Sequence, residues 1–478
     1  MRRVDLDRNG PHARSTPLVR SGFDRRRRAF ALVVVLFAVG VSTAALLLLQ
    51  ASAFRQAIGG REALGAVRAK WAARSGLEAT IARLAFNVEQ PSESDAFVTI
   101  DDLAEVGSGA VFPGWSRNAE ATAEWEIYAW EGETRFDGPV DAHTKVNVAR
   151  MTVDDLLELD GMTEDAAAAI VDWADADDLV TEFGAESGFY GRATPPYEPR
   201  NAAPRSLEEL ELAAGVDPTL LRGEDWNLNG RLDANEDDGD ASWPPDDADG
   251  ALDAGWSEFI TTESVDQGLA LSGRERLYLP TATNTELSAR IDGLTAIQAR
   301  AMTAASNSQQ LADENGELDL DRFLRNGLPQ LAVATGEFSD MEIAQIAPLN
   351  RDQLEDIFSE LTMHDPELGP RPGKVNINLV RRETLDYVTI FRENPGQADP
   401  IIFLRDSNPA GFVSIVDLLD VGVAPIELAE LWRHLDTLSN AYVVTSRGRD
   451  LATGIEVEVQ ATIERTRLPV VISEMRIR

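Results

Sequence analysis

Phe30-Ala-Leu-Val-Val-Val-Leu-Phe-Ala-Val-Gly40, followed by Leu46-Leu-Leu-Leu49, forms the heart of a stretch from Ala29 to Phe54 that carries no charge. At about 1.5 Å per residue, a helix of this length exceeds the roughly 20 residues that cross a hydrocarbon core. The stretch therefore reads as a membrane-spanning helix. Ahead of it stand Arg2, Arg3, Arg8, Arg14, Arg20 and Arg25 to Arg28 against Asp5, Asp7 and Asp24, a local charge of +6. Such a flank stays on the cytoplasmic side. Residues 1–29 thus read as a basic cytoplasmic leader, 30–54 as the span, and the chain beyond Phe54 as exported. A cleaved secretory signal is the competing reading, but the apolar run is longer than such signals use, and no small-residue cleavage site precedes a plausible mature start.

The exported part is acidic. The 478 residues contain 44 Lys+Arg and 81 Asp+Glu for a net charge of -37, so removing the leader's +6 leaves -43. A surface of that sign repels phosphates and has few cations with which to displace counterions, so nucleic acid is not expected as a partner. Hydrophobic residues at 44% supply enough apolar surface for a folded chain of roughly three units. The absence of cysteine removes disulfides, thiolate metal sites and thiol nucleophiles. Only His12, His143, His364 and His434 are present, without metal-ligand spacing, and no Gly-x-Ser-x-Gly elbow or phosphate-binding glycine loop occurs. No enzymatic site is expected.

Residues 55–90 are rich in Ala, Leu, Arg and Glu, with Leu64, Val67, Trp71, Leu77, Ile81 and Leu84 close to one helical stripe. The membrane helix is expected to continue outward as an amphipathic helix, with Gly59-Gly60 as a bend and Pro91 as a stop. A helix with a membrane half and a soluble half is the architecture of pilin-like subunits. Between Ala121 and Trp130, Ala123, Trp125, Ile127 and Ala129 alternate with Glu124 and Glu126. Near the other end, Ile455, Val457, Val459, Ala461 and Ile463 alternate with polar residues, and Tyr442 to Thr445 reads as a preceding strand. Two strands alone are marginal in water. Residues 91–145 and 439–478 are therefore expected to form one antiparallel sheet on the helix, with everything between inserted as a helical lobe.

That lobe contains a repeat. Lys145-Val-Asn-Val148 precedes Leu156, Arg276-Leu-Tyr-Leu279 precedes Leu287, and Lys374-Val-Asn-Ile377 precedes Leu385. Each copy reads as a short extended piece followed by a helix, giving modules at 146–224, 256–370 and 371–438. The first is similar to a helix-hairpin-helix unit, yet its hairpin, Leu159-Asp-Gly-Met-Thr-Glu-Asp165, places carboxylates where a phosphate belongs. The modules read as structural or protein-binding. Between the first two lies an acidic loop, 225–255, opening with Asp225-Trp-Asn-Leu-Asn-Gly-Arg-Leu-Asp-Ala-Asn-Glu236. Asp225, Asn227, Asn229 and Asp233 supply side-chain oxygens at positions 1, 3, 5 and 9 of the EF-hand pattern, Arg231 its carbonyl at 7, and Glu236 a bidentate carboxylate at 12. The expected ligand is Ca2+. Asp247, Asp249 and Asp253 form an incomplete pattern, and Asp172, Asp175, Asp177 and Asp178 read as polar surface at a helix end.

The layout resembles the large minor pseudopilin of type II secretion, the K class (GspK-like). The residues that carry the resemblance are Ala72-Ala-Arg-Ser-Gly-Leu-Glu78, Lys145 to Val148, Ala169-Ile-Val-Asp-Trp173 followed by Asp175, Gly184-Ala-Glu186 with Tyr190, Tyr197 with Asn201, and Ser206-Leu-Glu-Glu-Leu210. The resemblance implies an α+β fold: a pilin-like N-terminal helix packed on an antiparallel sheet, with an inserted lobe of helix-hairpin-helix/SAM-like modules. It implies prepilin cleavage between Ala29 and Phe30, Ala29 standing where the family usually has Gly. Val34 then becomes the fifth mature residue, where most pilin-like subunits have a Glu thought to pair with the neighbouring subunit's amino terminus. A carboxylate in lipid is costly without such a partner, and a subunit with Val34 needs none ahead of it. The resemblance hence implies a cap at the tip of a periplasmic pseudopilus, which helps to initiate assembly. Its partners would be the I- and J-class minor pseudopilins, the major pseudopilin and the inner membrane, crossed once with the C-terminal domain periplasmic. A minor pilin of a type IV pilus, acting in adhesion or filament initiation, is the alternative.

Overall fold

The computed structural model describes residues 23–92, 94–112, 120–266, 269–312 and 319–477. Most of the leader, residues 1–22, lies outside them. The chain divides into two units between Leu64 and Gly65, and one helix, α1 (Phe23–Glu89), belongs to both. In the first unit α1 is exposed from Phe30 to Leu64, and its most apolar window has a mean hydropathy of 2.8. Among the described residues it is the one helix long and apolar enough to cross a membrane. Gly59 and Gly60 do not interrupt its helical assignment. The cost of about 1 kcal/mol per glycine is spread among the strong helix formers on either side.

The second unit contains the sheet. A short helix, α2 (Val98–Ala104), leads into β1 (Ser108–Val111), β2 (Ala123–Glu131), β3 (Thr134–Asp137) and β4 (Val140–Asp141), and the chain returns as β5 (Ala441–Asp450), β6 (Glu456–Glu464) and β7 (Val471–Ile477). The seven strands run in the order β1-β2-β5-β6-β7, with β3 on β2 and β4 on β5. All pairs are antiparallel, and Ser446 lies opposite Ile127 where the early and late strands meet. Alternation sends Ile127, Val444, Val459, Ala461 and Ile463 to one face, where they pack with Ala73, Leu77 and Leu84 of α1 and Leu103 of α2. The opposite face, with Tyr128, Val443 and Gln460, looks toward the lobe.

The face of α1 turned to the sheet keeps Leu77, Ile81 and Leu84 of the stripe expected above and departs from it nearer the N-terminus. Leu64, Val67 and Trp71 are exposed, and Gly65, Ala69, Ala72, Ala73, Gly76, Leu77, Thr80 and Leu84 are buried. The reason is distance. A Cβ on Gly448 of β5 would lie 2.0 Å from the Ala69 carbonyl oxygen and 2.3 Å from the Ala73 nitrogen. Helix backbone and strand backbone touch, and only small residues fit the seam.

The lobe leaves the sheet after β4 and re-enters at β5. Within it, each of the three quoted segments forms a two-residue strand paired in parallel with another: Val146 with Ile260, Leu277 with Leu361, and Val375 with Leu435. Leu156, Leu287 and Leu385 are fully buried in one core shared by all three modules. In the first and third, the asparagine of the strand brackets the turn. The Asn147 side chain accepts from Ala149 N–H at 3.1 Å and donates to Ser264 O at 2.9 Å. Asn376 accepts from Asn378 N–H at 2.9 Å and donates to Ser439 Oγ at 2.8 Å. Exit and return are tied by His143, whose Nδ1 donates to Lys374 O at 2.7 Å while Nε2 accepts from Asn440 N–H at 3.1 Å.

Two predictions follow from these contacts. Gly448→Ala must push helix from strand, and overpacking of this kind costs about 1 to 3 kcal/mol. Denaturant unfolding should show a loss of that size, and an unchanged midpoint refutes the backbone contact. Lys374 is buried with its Nζ 3.1 Å from the Trp432 ring centroid and without a hydrogen-bond partner. Burial lowers its pKa from 10.5 to about 8, against the pull of Asp266, Asp436 and Asp319. The unfolded chain therefore holds this proton to higher pH than the folded one, and the group adds a rise in stability between about pH 8 and 10.5. Lys374→Met should flatten that rise in midpoints taken at both ends of the window, and equal slopes in both proteins would count against it.

Candidate functional site

The first module builds its site at the end of a helix. Glu164–Ala174 is capped by Thr163, which accepts from Ala166 N–H, and it buries Ala166 to Ile170 in the lobe core. Two residues before its end, the helix delivers Asp172, fully buried, beside Trp173. The Asp172 carboxylate accepts from Thr181 N–H at 3.1 Å, folding the next segment back. That turn returns Glu186, 2% exposed, to the helix end. Oxygens of Asp172, Asp175 and Glu186 all lie within 4.8 Å of one another. Neither Glu186 oxygen has a hydrogen-bond partner. Burial, followed by the carboxylates of Asp172, Asp175, Asp178 and Asp177, pushes its pKa up to about 7.

Asn201 reaches the same region with a positive φ of 47°, its Nδ2 donating to Asp177 O at 2.6 Å, and its buried Oδ1 is without a partner. Behind the carboxylates, Trp173 meets Tyr190 edge-on at 5.4 Å, and Tyr197 lies 5.1 Å from Tyr190. Tyr190 accepts from Ala214 N–H, Tyr197 donates to Leu212 O, and Trp173 Nε1 donates to Glu209. These contacts fix the helix end to the segment carrying Ser206 to Leu210. Residues scattered over some thirty positions of sequence thus meet around one set of oxygens. An oxygen-only set with two buried carboxylates suits a hard cation, which takes six to eight oxygens.

The twelve-residue loop is arranged differently. Asp225 Oδ1 and Oδ2 accept from Asn229 and Gly230 N–H, each at 2.8 Å. Glu236, 1% exposed, accepts from Trp226 N–H at 3.2 Å and Asp233 N–H at 3.0 Å. Asn227 and Asn229 both donate side-chain N–H to Asp233 Oδ2 at 2.9 Å, and Asn229 Oδ1 accepts from Arg231 N–H. Gly230 takes the positive φ, 71°, of the sharp turn. Burial first, then Asp225 and Asp233, raises the pKa of Glu236. Among the described residues, the acidic group that brings one oxygen from each member within 4.8 Å of the others is the Asp172 trio, and Asp225, Asp233 and Glu236 form no such group. The loop is pinned to the sheet, since Gly132 of the β2–β3 turn donates to Gly230 O and accepts from Leu232 N–H. Among the described residues, Glu236 is followed by the short turn Gly239–Ala241.

At the N-terminus, Ala29, Phe30 and Val34 all lie on α1, with Phe30 and Val34 exposed.

Comparison with known proteins bears on the first module. Residues 138–223 match the family model for type II secretion system (T2SS), protein K. The matched segment begins just before β4 and holds Asp172, Asp175, Glu186, the aromatic cluster and Asn201, and it ends before the Asp225 loop. No curated protein matches the chain. A chain in the crystal structure of the GspK-GspI-GspJ complex from the type 2 secretion system of enterotoxigenic Escherichia coli is similar at 11% identity and a TM-score of 0.41, over 88% of this chain and 99% of that one.

Asp172 and Asp175, taken from sequence as helix-end surface, are brought onto a third carboxylate instead. Glu186 was quoted above only within the family pattern. Its signal as a ligand would have been the spacing from Trp173 to Gly184-Ala-Glu186, which is the length of one returning turn.

Proposed function

We propose that this protein is a K-class minor pseudopilin, anchored once in the inner membrane by Phe30 to Phe54 with its C-terminal domain in the periplasm. It caps the tip of a type II secretion pseudopilus and helps to initiate its assembly. The observation that carries this reading is the protein K segment, residues 138–223, inserted into a sheet whose other face packs on the soluble half of an apolar N-terminal helix. Cleavage between Ala29 and Phe30 leaves Val34 fifth in the mature chain, with no carboxylate to be neutralised by a subunit ahead. The role is one of assembly and not of catalysis. Its partners are I- and J-class minor pseudopilins and the major pseudopilin below them.

The full chain in detergent, mixed with I- and J-class subunits of the same system, should elute as a three-part complex on size-exclusion chromatography. A chain that elutes alone in every combination refutes the cap.

The lobe on this reading is stiffened by Ca2+. Support is strongest at Asp172, Asp175 and Glu186 with Asn201, where both Glu186 oxygens and Asn201 Oδ1 have no hydrogen-bond partner; the loop from Asp225 to Glu236 is the second location. A site filled at a hundredfold excess over Kd adds about 2.7 kcal/mol of stability. Calorimetry should show calcium binding that Glu186→Gln abolishes at the first location, while Asp225→Ala and Glu236→Ala remove the loop's share. Absence of any calcium-dependent heat or melting shift disposes of both locations.

A further inference from the structure

Between the lobe-facing side of the sheet and the lobe lies a cavity of about 500 Å3, within the usual range for sites that enclose a small organic molecule. Tyr128, Trp130 and Val443 of the sheet and Leu228, Ile260 and Leu379 of the lobe give it an apolar wall. Its charged groups are mostly engaged already. Arg381 pairs with Glu131 and Glu258. Arg476 holds Glu208, and the Tyr128 hydroxyl donates to Glu458. Asp225 is occupied by its own loop's N–H groups, and Lys145 Nζ donates to Ser257 O at 2.6 Å.

Glu263 is the exception. Among the described residues its carboxylate has no hydrogen bond or ion pair, although it lines the cavity. Lys145 attracts it electrostatically, yet no pair within 4.0 Å joins the two. Both side chains are half-buried, and desolvation raises the pKa of Glu263 and lowers that of Lys145. An anion does not suit the space, because Lys145 itself already faces Glu263, Asp225 and Glu258. A bare metal ion would leave the apolar wall without contacts.

We infer that this cavity is a binding site for a small organic ammonium ion, whose charged end meets the Glu263 carboxylate and whose short apolar body rests on the wall of Tyr128, Trp130 and Val443. The site is independent of the membrane helix and of the assembly reading; it lies outside the Asp172 carboxylate trio and shares part of its lining, Asp225 to Arg231, with the loop proposed as the second calcium location.

The test is isothermal calorimetry on the full chain in detergent at pH 7, with phenethylammonium chloride and 2-phenylethanol as probes of equal shape and different charge. The amine should bind saturably at one per chain, with the alcohol at least tenfold weaker. Glu263→Gln should weaken the amine at least tenfold and erase the preference, with circular dichroism unchanged. Val443→Phe fills the wall without touching the carboxylate and should weaken both probes. Equal binding of amine and alcohol, no saturable amine binding, or undiminished amine affinity in Glu263→Gln would each overturn the assignment. Should Glu263→Gln fail to fold, the probe pair on the unsubstituted chain together with Val443→Phe decides the matter.

Discussion

Helix and strand touch backbone to backbone where Gly448 meets Ala69 and Ala73, and much of the second unit follows from that contact. The helix comes from the start of the chain and β5 to β7 from its end, so the sheet closes only after the whole lobe has been made. The lobe must then leave and return at neighbouring points. β4 pairs with β5, placing Asp141 opposite Tyr442, and His143 joins the exit, the third module's first strand and the return in a single ring. Its two hydrogen bonds require a neutral imidazole with the proton on Nδ1, because Nε2 receives Asn440 N–H.

The lobe repeats one solution to a local problem. A two-residue strand has almost no stability of its own, so each parallel pair depends on the leucine that its module buries: Leu156, Leu287 or Leu385. Where Asn147 or Asn376 occupies the strand, a side-chain amide also satisfies the turn's backbone and reaches the serine beyond the closing strand. The second module has Tyr278 at that position and lacks the amide bracket. One continuous core joins all three modules. The lobe thus behaves as a single body in which a local opening exposes the neighbours' apolar surface.

Period-two alternation made β2 and β6 legible in sequence, since one burial rule governs every other residue along a strand. The helix stripe held at Leu77, Ile81 and Leu84 and misled nearer the span for a related reason. Leu64, Val67 and Trp71 dominate any hydrophobic pattern, but a seam set by backbone contact selects Gly65, Ala69, Ala72 and Gly76, which such a pattern barely registers. The EF-hand spacing of Asp225 to Glu236 was also legible, yet spacing does not say how the oxygens are used. In the folded loop the amide N–H groups of Asn227 and Asn229 turn toward Asp233, a local choice invisible in a pattern of residue types. The Asp172 trio was hidden because its third member arrives along a turn whose course depends on Thr181 N–H reaching Asp172.

The acidic excess of the lobe is largely structural, and this is what gives Glu186 and Glu263 their meaning. Along the run after Glu236, carboxylates replace backbone acceptors. Asp246 receives Gly239 and Ala248 N–H, Asp237 receives Gly250, Asp249 receives Ala251, and Glu224 receives Asp247 and Asp253. A carboxylate used in this way holds a turn that has no helix or sheet to satisfy it. The same density of negative charge raises the cost of any carboxylate that is buried and receives no N–H. Glu186 is such a group among oxygens alone, and Glu263, half-buried beside an apolar wall, approaches the same condition. The surroundings therefore separate the two proposals by chemistry: oxygens alone would suit a hard cation at the first, and one carboxylate beside an apolar wall would suit a protonated amine at the second.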